Sequence, residues 1–458
     1  MSKSIRDICI VLTCWAALCA MPKISWAAEA DIIIRHAKVI SPPNVIDDAT
    51  VVVSGNRISY VGNGKVTQKA KRYIDASNKT VIPGMIDTHV HLIMGPNSPD
   101  SDEAYEKWVQ EKLAGNLKDL LAHGFTTIAS MGDYFPQVLG VRERVNSGQI
   151  IGPRLMITGP LLIPVNGHVA ADNDACTKVP FCVAHMTRQI ANAEEGRKAV
   201  RELAAAKVDG IKIAICEEGN NGIKIGHFSD EELRAIIDEA HVHGLRVYVH
   251  AYPYDYALRA IEAGADALAH GPEMMEVNGE EQPNELKEKV LALAKQRGVS
   301  MAVTMGWPWL YPDTWGGDAT RVAYNTSIVE KKESLAYWQY ANKVIPPAVR
   351  HFDEQGVNLA WGTDLWQLRR FSDGEKFELQ ARAASGIPPM HVLAMATTNA
   401  AKHLNREKDI GAIEKGKLAD LVIIAGDPLK NLDGFMERID MVIKDGKVMA
   451  DYYAPRGD

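Results

Sequence analysis

Two histidines in the first quarter of the chain are the first residues whose type and spacing could bind a metal. His89 and His91 follow an apolar run from Val81 to Ile86 that favours a buried strand. Residues i and i+2 of a strand point to the same side, so both imidazoles are expected to face one pocket. Converging neutral imidazoles suit a divalent transition metal such as zinc. The two histidines could equally be hydrogen-bonded to the backbone without any metal. A metal site therefore requires further ligands from elsewhere in the chain.

Further polar side chains stand in or at the ends of later strand-like segments. His250 and His270 each close an alternating apolar segment, and Asp364 follows the segment Leu-Ala-Trp-Gly-Thr. Lys212 lies inside the apolar run Gly-Ile-Lys-Ile-Ala-Ile. Taken singly, these residues could be hydrogen-bonded core histidines, a helix cap and an ion-pair partner. Together with the first two histidines, they predict one shared metal pocket.

The middle of the chain alternates between strand and helix patterns and contains eight strand-like segments. Such alternation favours a closed (β/α)8 barrel of the TIM type over an open doubly wound sheet. The C-terminal ends of the barrel strands carry the chemistry of this fold, and the polar residues lie there. No Gly-x-Gly-x-x-Gly follows a strand, so a dinucleotide site has no support. The segments begin near Val81, Phe125, Arg154, Gly210, Leu245, Ala265, Val299 and Val357.

Short strand patterns also occur at both ends of the chain, and neither group would make a stable sheet alone. We expect the two groups to pair in a small β-sandwich domain. The predicted division is a signal peptide over residues 1–27, β-sandwich parts over 28–84 and 403–458, and the barrel over 85–402.

The overall composition is that of a soluble globular protein preceded by a targeting segment. The chain has 458 residues, 46% hydrophobic and 24% charged, and its net charge of −7 gives no reason to expect nucleic acid. Lys3 and Arg6 precede an apolar run, and Ser25-Trp26-Ala27 ends it as a small-x-small cleavage site. The mature protein is therefore expected to be secreted or periplasmic, without a membrane anchor.

Three cysteines remain after cleavage of the predicted signal peptide. Cys176 and Cys182 lie six residues apart in a polar loop and are the favoured disulfide in an oxidising compartment. Cys216 would then keep its thiol. Since three pairings are possible, the other two stay open.

The chain resembles the amidohydrolase superfamily, and within it the imidazolonepropionase-like group that includes zinc-dependent prolidases related to Xaa-Pro dipeptidases. The resemblance spans nearly the whole mature chain. Its motifs are Pro83-Gly-Met-Ile-Asp-Thr-His-Val-His91, Gly-Ile-Lys212-Ile, Val-His250-Ala, Ala-His270-Gly, Gly-Thr-Asp364, Thr397-Thr-Asn-Ala-Ala401 and the stretch from Gly411 to Leu421.

The resemblance implies two divalent metal ions, taken to be zinc. One would bind His89, His91 and Asp364, the other would bind His250 and His270, and a carbamylated Lys212 (N6-carboxylysine) would bridge them. A buried neutral amine can react with carbon dioxide, and the resulting carbamate anion offsets the metal charge. The implied reaction is hydrolysis of an amide, in a dipeptide or an N-acyl amino acid, by a metal-bridging hydroxide with Asp364 as proton shuttle.

Other activities stay open at this point. The same attack would serve an ester, a lactone or a carbamate, and a mononuclear deaminase or cyclic amidohydrolase shares the histidines and Asp364. Deaminases of this kind usually carry a glutamate three residues after the fifth-strand histidine, where this chain has Pro253. Imidazolonepropionase itself lacks the bridging lysine. A metal-stabilised binding protein without turnover is the non-enzymatic alternative.

Several residues near the predicted strand ends could contact a small-molecule substrate. His168 follows the third strand, where the resembling enzymes have a substrate-contacting Gly-His, and could stabilise a developing oxyanion. Tyr252 could contribute in the same way, and Arg369 could bind a substrate carboxylate. Trp307 and Trp309 could line an apolar pocket. An oligomer contact is the other interpretation of this aromatic loop, and we expect a homo-oligomer.

Overall fold

Strands occupy both ends of the chain and alternate with helices in the middle. The computed structural model describes residues 29–93, 98–171, 178–216, 224–270, 284–306, 332–364 and 371–452. Its strands are β1 (Ala30–Ser41), β2 (Asn44–Ser54), β3 (Arg57–Gly62), β4 (Ala70–Asp75), β5 (Lys79–Pro83), β6 (Met85–Val90), β7 (Phe125–Ser130), β8 (Arg154–Ile157), β9 (Leu161–Pro164), β10 (Thr187–Ile190), β11 (Gly210–Cys216), β12 (Arg246–Tyr252), β13 (Ala267–Leu268), β14 (Ser300–Val303), β15 (Leu359–Trp361), β16 (Leu421–Ala425), β17 (Ile439–Lys444) and β18 (Lys447–Asp451).

Helices follow most strands of the middle region. The segments Asp102–Trp108 and Ala114–Ala122 are joined by a π-helical turn, Val109–Leu113. A 3-10 turn spans Phe435–Arg438. The remaining helices are Gln137–Asn146, Pro180–Met186, Ala193–Ala205, Asp230–Val242, Tyr254–Ala263, Asn284–Arg297, Lys332–Glu354, Phe371–Ala384, Pro389–Met395 and Thr398–His403.

The strands from the two ends of the chain share one eight-stranded sheet. Its order is β18-β17-β16-β5-β1-β2-β3, with β4 paired to β1. The antiparallel ladder between β5 and β16 sets Val81 opposite Ile423 and so joins the N-terminal segment to the C-terminal one. Apolar side chains from both segments, among them Ile34, Val51 and Leu421, pack in one buried cluster. Each segment therefore gains neighbours that it lacks by itself.

Eight parallel strands of the middle region correspond to the eight segments predicted from the sequence. β6, β7 and β8 form one parallel sheet, and β11 to β15 form most of a second one. The short strands β9 and β10 were not predicted. They pair with each other at the edge of the second sheet.

The third predicted strand connects the two parallel sheets because the chain bends within it. β8 pairs with β7, and after Gly159, whose φ is +80°, β9 pairs with β11 through Leu162 and Ile213. Asp209 strengthens the junction, since its backbone N–H donates to the carbonyl of Ile157 at 2.7 Å and its carboxylate accepts from the Ile157 N–H at 2.9 Å.

Hydrogen bonds also join the last parallel strand to the first. The Thr88 hydroxyl donates to the carbonyl of Trp361 at 2.7 Å. The backbone N–H of Asp364 donates to the carbonyl of His89 at 2.8 Å. The C-terminal ends of β6 and β15 are thereby held side by side, which brings Asp364 next to the His-x-His pair.

The helices bury one apolar face against these strands. Asp230–Val242 begins at a capping box predicted from the sequence, in which the Ser229 hydroxyl accepts from the Glu232 N–H and the Glu232 carboxylate accepts from the Ser229 N–H. Leu233 and Ile236 of this helix are fully buried in the main apolar cluster. The helix is therefore fixed both at its start and along its inner face.

Several predictions fall outside the described residues. The predicted signal peptide and Cys176 are among them. Cys182 is buried and disulfide-bonded, whereas Cys216 is a buried thiol. The pairing of Cys176 with Cys182 therefore stays a prediction. Among the described residues, no helix combines the length and the apolar character needed to span a membrane.

Candidate metal centre

The two histidines on and just after β6 present unprotonated nitrogens to the same space. His89 and His91 expose only 0% and 5% of their surface. The Nδ1 of His89 donates to the carbonyl of Ala269 at 2.6 Å, and the Nδ1 of His91 donates to the carbonyl of Gly132 at 2.7 Å. Because a carbonyl oxygen can only accept, each ring carries a proton on Nδ1, and in its neutral form each ring offers Nε2 as the lone-pair atom. Burial, reinforced by the nearby Lys212, lowers the pKa of His89 well below its ordinary value and favours the neutral ring.

Asp364 brings a carboxylate oxygen to the same two nitrogens. Its Oδ1 lies 3.2 Å from His91 Nε2 and 3.4 Å from His89 Nε2, and the two nitrogens are 3.3 Å apart. This oxygen accepts no hydrogen bond from the residues that the structure describes. The backbone of Asp364 has a φ of +51°, a left-handed conformation that is uncommon outside glycine and concentrates at functional sites. The Oδ1 of Asp364 and the two Nε2 atoms thus converge within 3.4 Å of one another.

Lys212 reaches this group from β11. The side chain is 1% exposed, and its Nζ lies 3.2 Å from His89 Nε2. Burial lowers the pKa of Lys212 to about 7, against the opposing effect of Asp364, so much of the amine is neutral near pH 7. Burial by itself would raise the pKa of Asp364, but the neighbouring His270, His91 and Lys212 bring it below its ordinary value. The carboxylate is therefore ionised.

His250 and His270 complete the set of predicted ligands. Their rings meet at a right angle, with centroids 4.8 Å apart. His270 Nε2 lies 3.7 Å from Asp364 Oδ2, and its Nδ1 is buried without a hydrogen-bond partner in the described ranges. Burial lowers the pKa of both rings, to about 3 for His270. Both histidines are therefore neutral and able to bind a metal.

His168 and Cys216 adjoin this group on the side of His250. The His168 ring stacks on the His250 ring at a centroid distance of 4.6 Å and an angle of 20°. The ligand atoms of His168, Cys216 and His250 lie within 4.8 Å of one another, as do those of His89, His270 and Asp364. The sequence predicted His168 as a substrate contact, and the structure places it beside His250. Cys216 was missed as a site residue, although it lies four residues after Lys212 on the same face of β11.

A buried carboxyl group beneath the histidines was also missed by the sequence prediction. Asp87 accepts hydrogen bonds from the backbone N–H of His89 at 2.8 Å and from the N–H and hydroxyl of Thr363. It ties β6 to the segment that carries Asp364. Glu375, from the helix Phe371–Ala384, adjoins Asp87 and accepts from the Trp361 indole at 2.8 Å. The spacing Asp-x-His-x-His places all three side chains on one face of the strand, and this spacing could have indicated Asp87 as a residue next to the ligands.

The same helix also fixes the end of β14 through a wholly buried ion pair. Glu378 accepts from the backbone N–H groups of Met305 and Gly306, and its carboxylate lies 2.7 Å from Arg382. Arg382 in turn donates to the carbonyl of Val303 at 2.7 Å. The backbone leaving β14 is thereby anchored.

The remaining predicted substrate contacts cannot be located with side chains. Trp307, Trp309 and Arg369 lie outside the described residues, and the side chain of Tyr252 is likewise not described. The backbone of Tyr252 ends β12 opposite Cys216.

The fold and site define an α/β enzyme whose ionisable residues gather at the C-terminal ends of parallel strands. The chain belongs to the amidohydrolase family, which it matches over residues 80–449. This confirms the family indicated by the sequence motifs.

Similar proteins extend over almost the whole chain. An ochratoxinase of Aspergillus niger is 23% identical over 92% of this chain and 87% of its own length. An imidazolonepropionase of Alkaliphilus metalliredigens is 22% identical over 91% of this chain and 94% of its own. The solved structure of a prolidase complexed with N-methylphosphonate-L-proline has a TM-score of 0.72 and 23% identity, over 91% of this chain and 98% of that one. The chain is a hydrolase of this family, acting on carbon–nitrogen bonds of small molecules.

Proposed function

We propose that the chain is a binuclear metal-dependent hydrolase that cleaves an amide bond in a dipeptide or an N-acyl amino acid. The observation that carries this proposal is the convergence of His89 Nε2, His91 Nε2 and Asp364 Oδ1 at separations of 3.2–3.4 Å. Lone pairs that face one another in a buried site repel, and water cannot screen them well there. A divalent cation between them would turn that repulsion into coordination.

The spacing of the three atoms fits a first-row divalent ion. Zinc bonds of about 2.0–2.2 Å in a tetrahedral arrangement separate the donor atoms by about 3.3–3.6 Å. His89, His91 and Asp364 would hold this ion. The carbonyls of Ala269 and Gly132, by accepting from the Nδ1–H groups, already fix the rings in the orientation that coordination needs.

Lys212 would bridge to a second ion. In its neutral form the amine adds carbon dioxide, loses a proton and becomes a carbamate, whose two oxygens share one negative charge. The buried position, the contact with His89 Nε2 at 3.2 Å and the pKa of about 7 support this modification. His250 and His270 are the ligands of the second ion in this proposal, and His270 also lies close to His89 and Asp364.

When bound, the two cations would polarise the scissile carbonyl and lower the pKa of coordinated water to near neutrality. Asp364 is ionised, and 15% of its side chain is exposed towards solvent. It would accept the proton of the attacking water and deliver it to the leaving nitrogen. His168, beside His250, would donate a hydrogen bond to the substrate carbonyl oxygen.

The choice of an amide is supported by the activities that relatives are named for, namely ochratoxinase, imidazolonepropionase and prolidase. The prolidase structure is a complex with N-methylphosphonate-L-proline. In our proposal Trp307 and Trp309 contact the apolar part of the substrate, Tyr252 assists His168 at the substrate carbonyl, and Arg369 contacts the substrate carboxylate.

We also propose that residues 85–402 form a closed (β/α)8 barrel, with 28–84 and 403–458 as the small β domain. The hydrogen bonds between β6 and β15, and the continuation of β8 into β9, support closure. Residues 1–27 would direct the protein to the periplasm or outside the cell, where it would act as a homo-oligomer. A mature N-terminus at Ala28, read by sequencing the protein from culture, would test the cleavage.

Metal content per chain tests the proposed centre. The mature protein is expected to bind about two zinc or cobalt ions, and Lys212→Met and His91→Gln are each expected to lose at least one. His403→Gln is the matched control, because His403 is also fully buried but bonds Ser300 at 2.9 Å and is not one of the proposed ligands. The same variants would then be assayed for hydrolysis of a panel of dipeptides, N-acyl amino acids and matching esters.

One ion per chain in both the parent and Lys212→Met would overturn the bridged centre. Turnover of the esters without any of the amides would overturn the amide assignment. A chelated protein that keeps full turnover would overturn the metal-dependent mechanism as a whole.

A further inference from the structure

We propose that Asp133 is a positioning residue of the metal centre, which fixes the backbone next to His91 and thereby the direction of the His91 ring. The inference rests on the proposed metal-dependent function and names a further residue on which the first metal position depends. Asp133 was not among the residues predicted from the sequence. Its side chain is fully buried, at 0% exposure, three residues after the end of β7.

The Asp133 carboxylate binds the two residues that follow His91. Its Oδ2 accepts from the Leu92 N–H at 3.0 Å, and its Oδ1 accepts from the Ile93 N–H at 3.1 Å. The Ser130 hydroxyl also donates to Oδ2. All three partners donate, which suits an ionised carboxylate, and hydrogen bonds to an ionised acceptor are about twice as strong as neutral ones. The backbone that leaves β6 is therefore fixed against the end of β7.

The peptide group that joins Gly132 to Asp133 acts on the His91 ring itself. Its carbonyl, which belongs to Gly132, accepts from His91 Nδ1 at 2.7 Å. Its N–H, which belongs to Asp133, donates to the carbonyl of Gly159 at 3.4 Å. Because a peptide group is planar, the carbonyl and the N–H turn together. The anchored Asp133 side chain therefore restrains both the backbone after His91 and the carbonyl that orients its ring.

An amide side chain could not replace this carboxylate. Both oxygens of Asp133 accept from backbone N–H groups, whereas asparagine has a single side-chain oxygen and an NH2 group that only donates. In Asp133→Asn one of the two N–H groups would therefore face another donor in a buried site, which is unfavourable. The loop after His91 is expected to move away from the end of β7.

Zinc affinity tests the consequence for the metal centre. Metal-free mature protein would be titrated with zinc in competition with a chelating indicator. Asp133→Asn is expected to bind zinc about tenfold or more weakly than the parent, the effect usual for a group that orients a metal ligand. Asp420→Asn is the matched control, because Asp420 is 4% exposed and accepts from the backbone N–H of Asp445 at 2.8 Å, within the β domain.

A spectroscopic measurement on the metal-free protein separates positioning of the ring from a general loss of stability. The buried Nδ1–H of His91 should give a slowly exchanging signal in NMR spectra of protein labelled with nitrogen-15 at histidine, and His91→Gln identifies this signal. Asp133→Asn should shift the signal or abolish it, because the Gly132 carbonyl moves. Asp420→Asn should keep the signal in place.

The outcomes separate this inference from the proposed function. A changed His91 signal together with weaker zinc binding in Asp133→Asn, with neither change in Asp420→Asn, supports the positioning role. If either value is unchanged in Asp133→Asn, or if both variants lose zinc affinity equally, the inference is overturned and the proposed hydrolase stays intact. A parent that binds no zinc overturns the proposed function and this inference with it.

A second variant decides the matter if Asp133→Asn does not fold. Ser130→Ala removes one donor to the same carboxylate and leaves the two backbone hydrogen bonds in place. It should weaken zinc binding at least about threefold, as expected for the loss of one hydrogen bond. An unchanged zinc affinity in Ser130→Ala would then overturn the inference.

Discussion

The Nε2 atoms of His89 and His91 lie 3.3 Å apart, on the side of each ring that faces the candidate metal centre. The carbonyls of Ala269 and Gly132 accept from the two Nδ1–H groups, so in a neutral ring Nε2 carries the lone pair. Asp364 Oδ1 adds a third acceptor at 3.2 and 3.4 Å. Such an arrangement is unfavourable without a cation, and a bound cation should therefore stabilise the folded protein measurably.

Zinc is expected to raise the free energy of unfolding of the metal-free parent, by about 2.7 kcal/mol when free zinc is 100-fold above its dissociation constant. In His91→Gln, at the same zinc concentration, most of this gain should disappear because one of three converging ligands is missing. Calorimetric melting with and without zinc measures both values. His403→Gln should keep the gain, and an equal gain in the His91 variant would place the metal elsewhere.

Reactivation of the metal-free enzyme should depend on bicarbonate and on pH. Burial lowers the pKa of Lys212 to about 7, and only the neutral amine adds carbon dioxide. The neutral fraction falls about tenfold between pH 8 and pH 6, so at a fixed concentration of dissolved carbon dioxide the initial rate of reactivation by zinc should fall by a similar factor. Aliquots taken at intervals and assayed for hydrolysis would give the rate of reactivation. Reactivation that is equally fast in carbon dioxide-free buffer would contradict the carbamate.

The buried carboxyl pair beneath the centre should make the metal-free protein less stable as pH rises. Burial raises the pKa of Asp87 to about 7. Burial also raises the pKa of Glu375 well above its ordinary value, and the nearby Asp87 raises the pKa of Glu375 further. The folded state then binds more protons than the unfolded state from about pH 4 upward, so the free energy of unfolding falls through this window. In Glu375→Gln the fall between pH 5 and pH 8 should be smaller by at least about 1 kcal/mol, since one pKa unit corresponds to about 1.4 kcal/mol.

Urea unfolding at the two pH values measures this difference. The exposed Glu414→Gln serves as the control and should keep the parent's slope. An unchanged slope in the Glu375 variant would mean that the pair does not retain a proton.

A methyl group at Gly132 should disturb the ligand His91. The φ of Gly132 is +131°, and an added Cβ would lie 1.9 Å from Leu161 Cδ1. Gly132→Ala is therefore expected to shift the carbonyl that accepts from His91 and to weaken zinc binding about tenfold or more. Gly148→Ala tests the backbone effect alone, because Gly148 has a φ of +79° and open space around it. It should cost about 1–2 kcal/mol of stability without changing zinc affinity. Zinc titration and denaturant unfolding of both variants compare the two effects, and equal zinc affinities would contradict the role of the Gly132 carbonyl.

The periodicity of the sequence was sufficient to find the parallel strands and most of the candidate ligands. Alternation along a strand is a local property, so the shared direction of His89 and His91 follows from their spacing alone. The capping box at Ser229 is local in the same sense. The family motifs added Lys212 and Asp364 as partners of these histidines.

Sequence by itself determined the eight main strands of the middle region, which side chains point to their inner face, and the family. Only the tertiary structure decided which donors meet. The protonation of His89 depends on the carbonyl of Ala269, 180 residues away, and the grouping of Cys216 with His168 depends on how β9 lies beside β11. No local pattern encodes these relationships, because the register between strands distant in the chain is set by packing and hydrogen bonds across the whole fold.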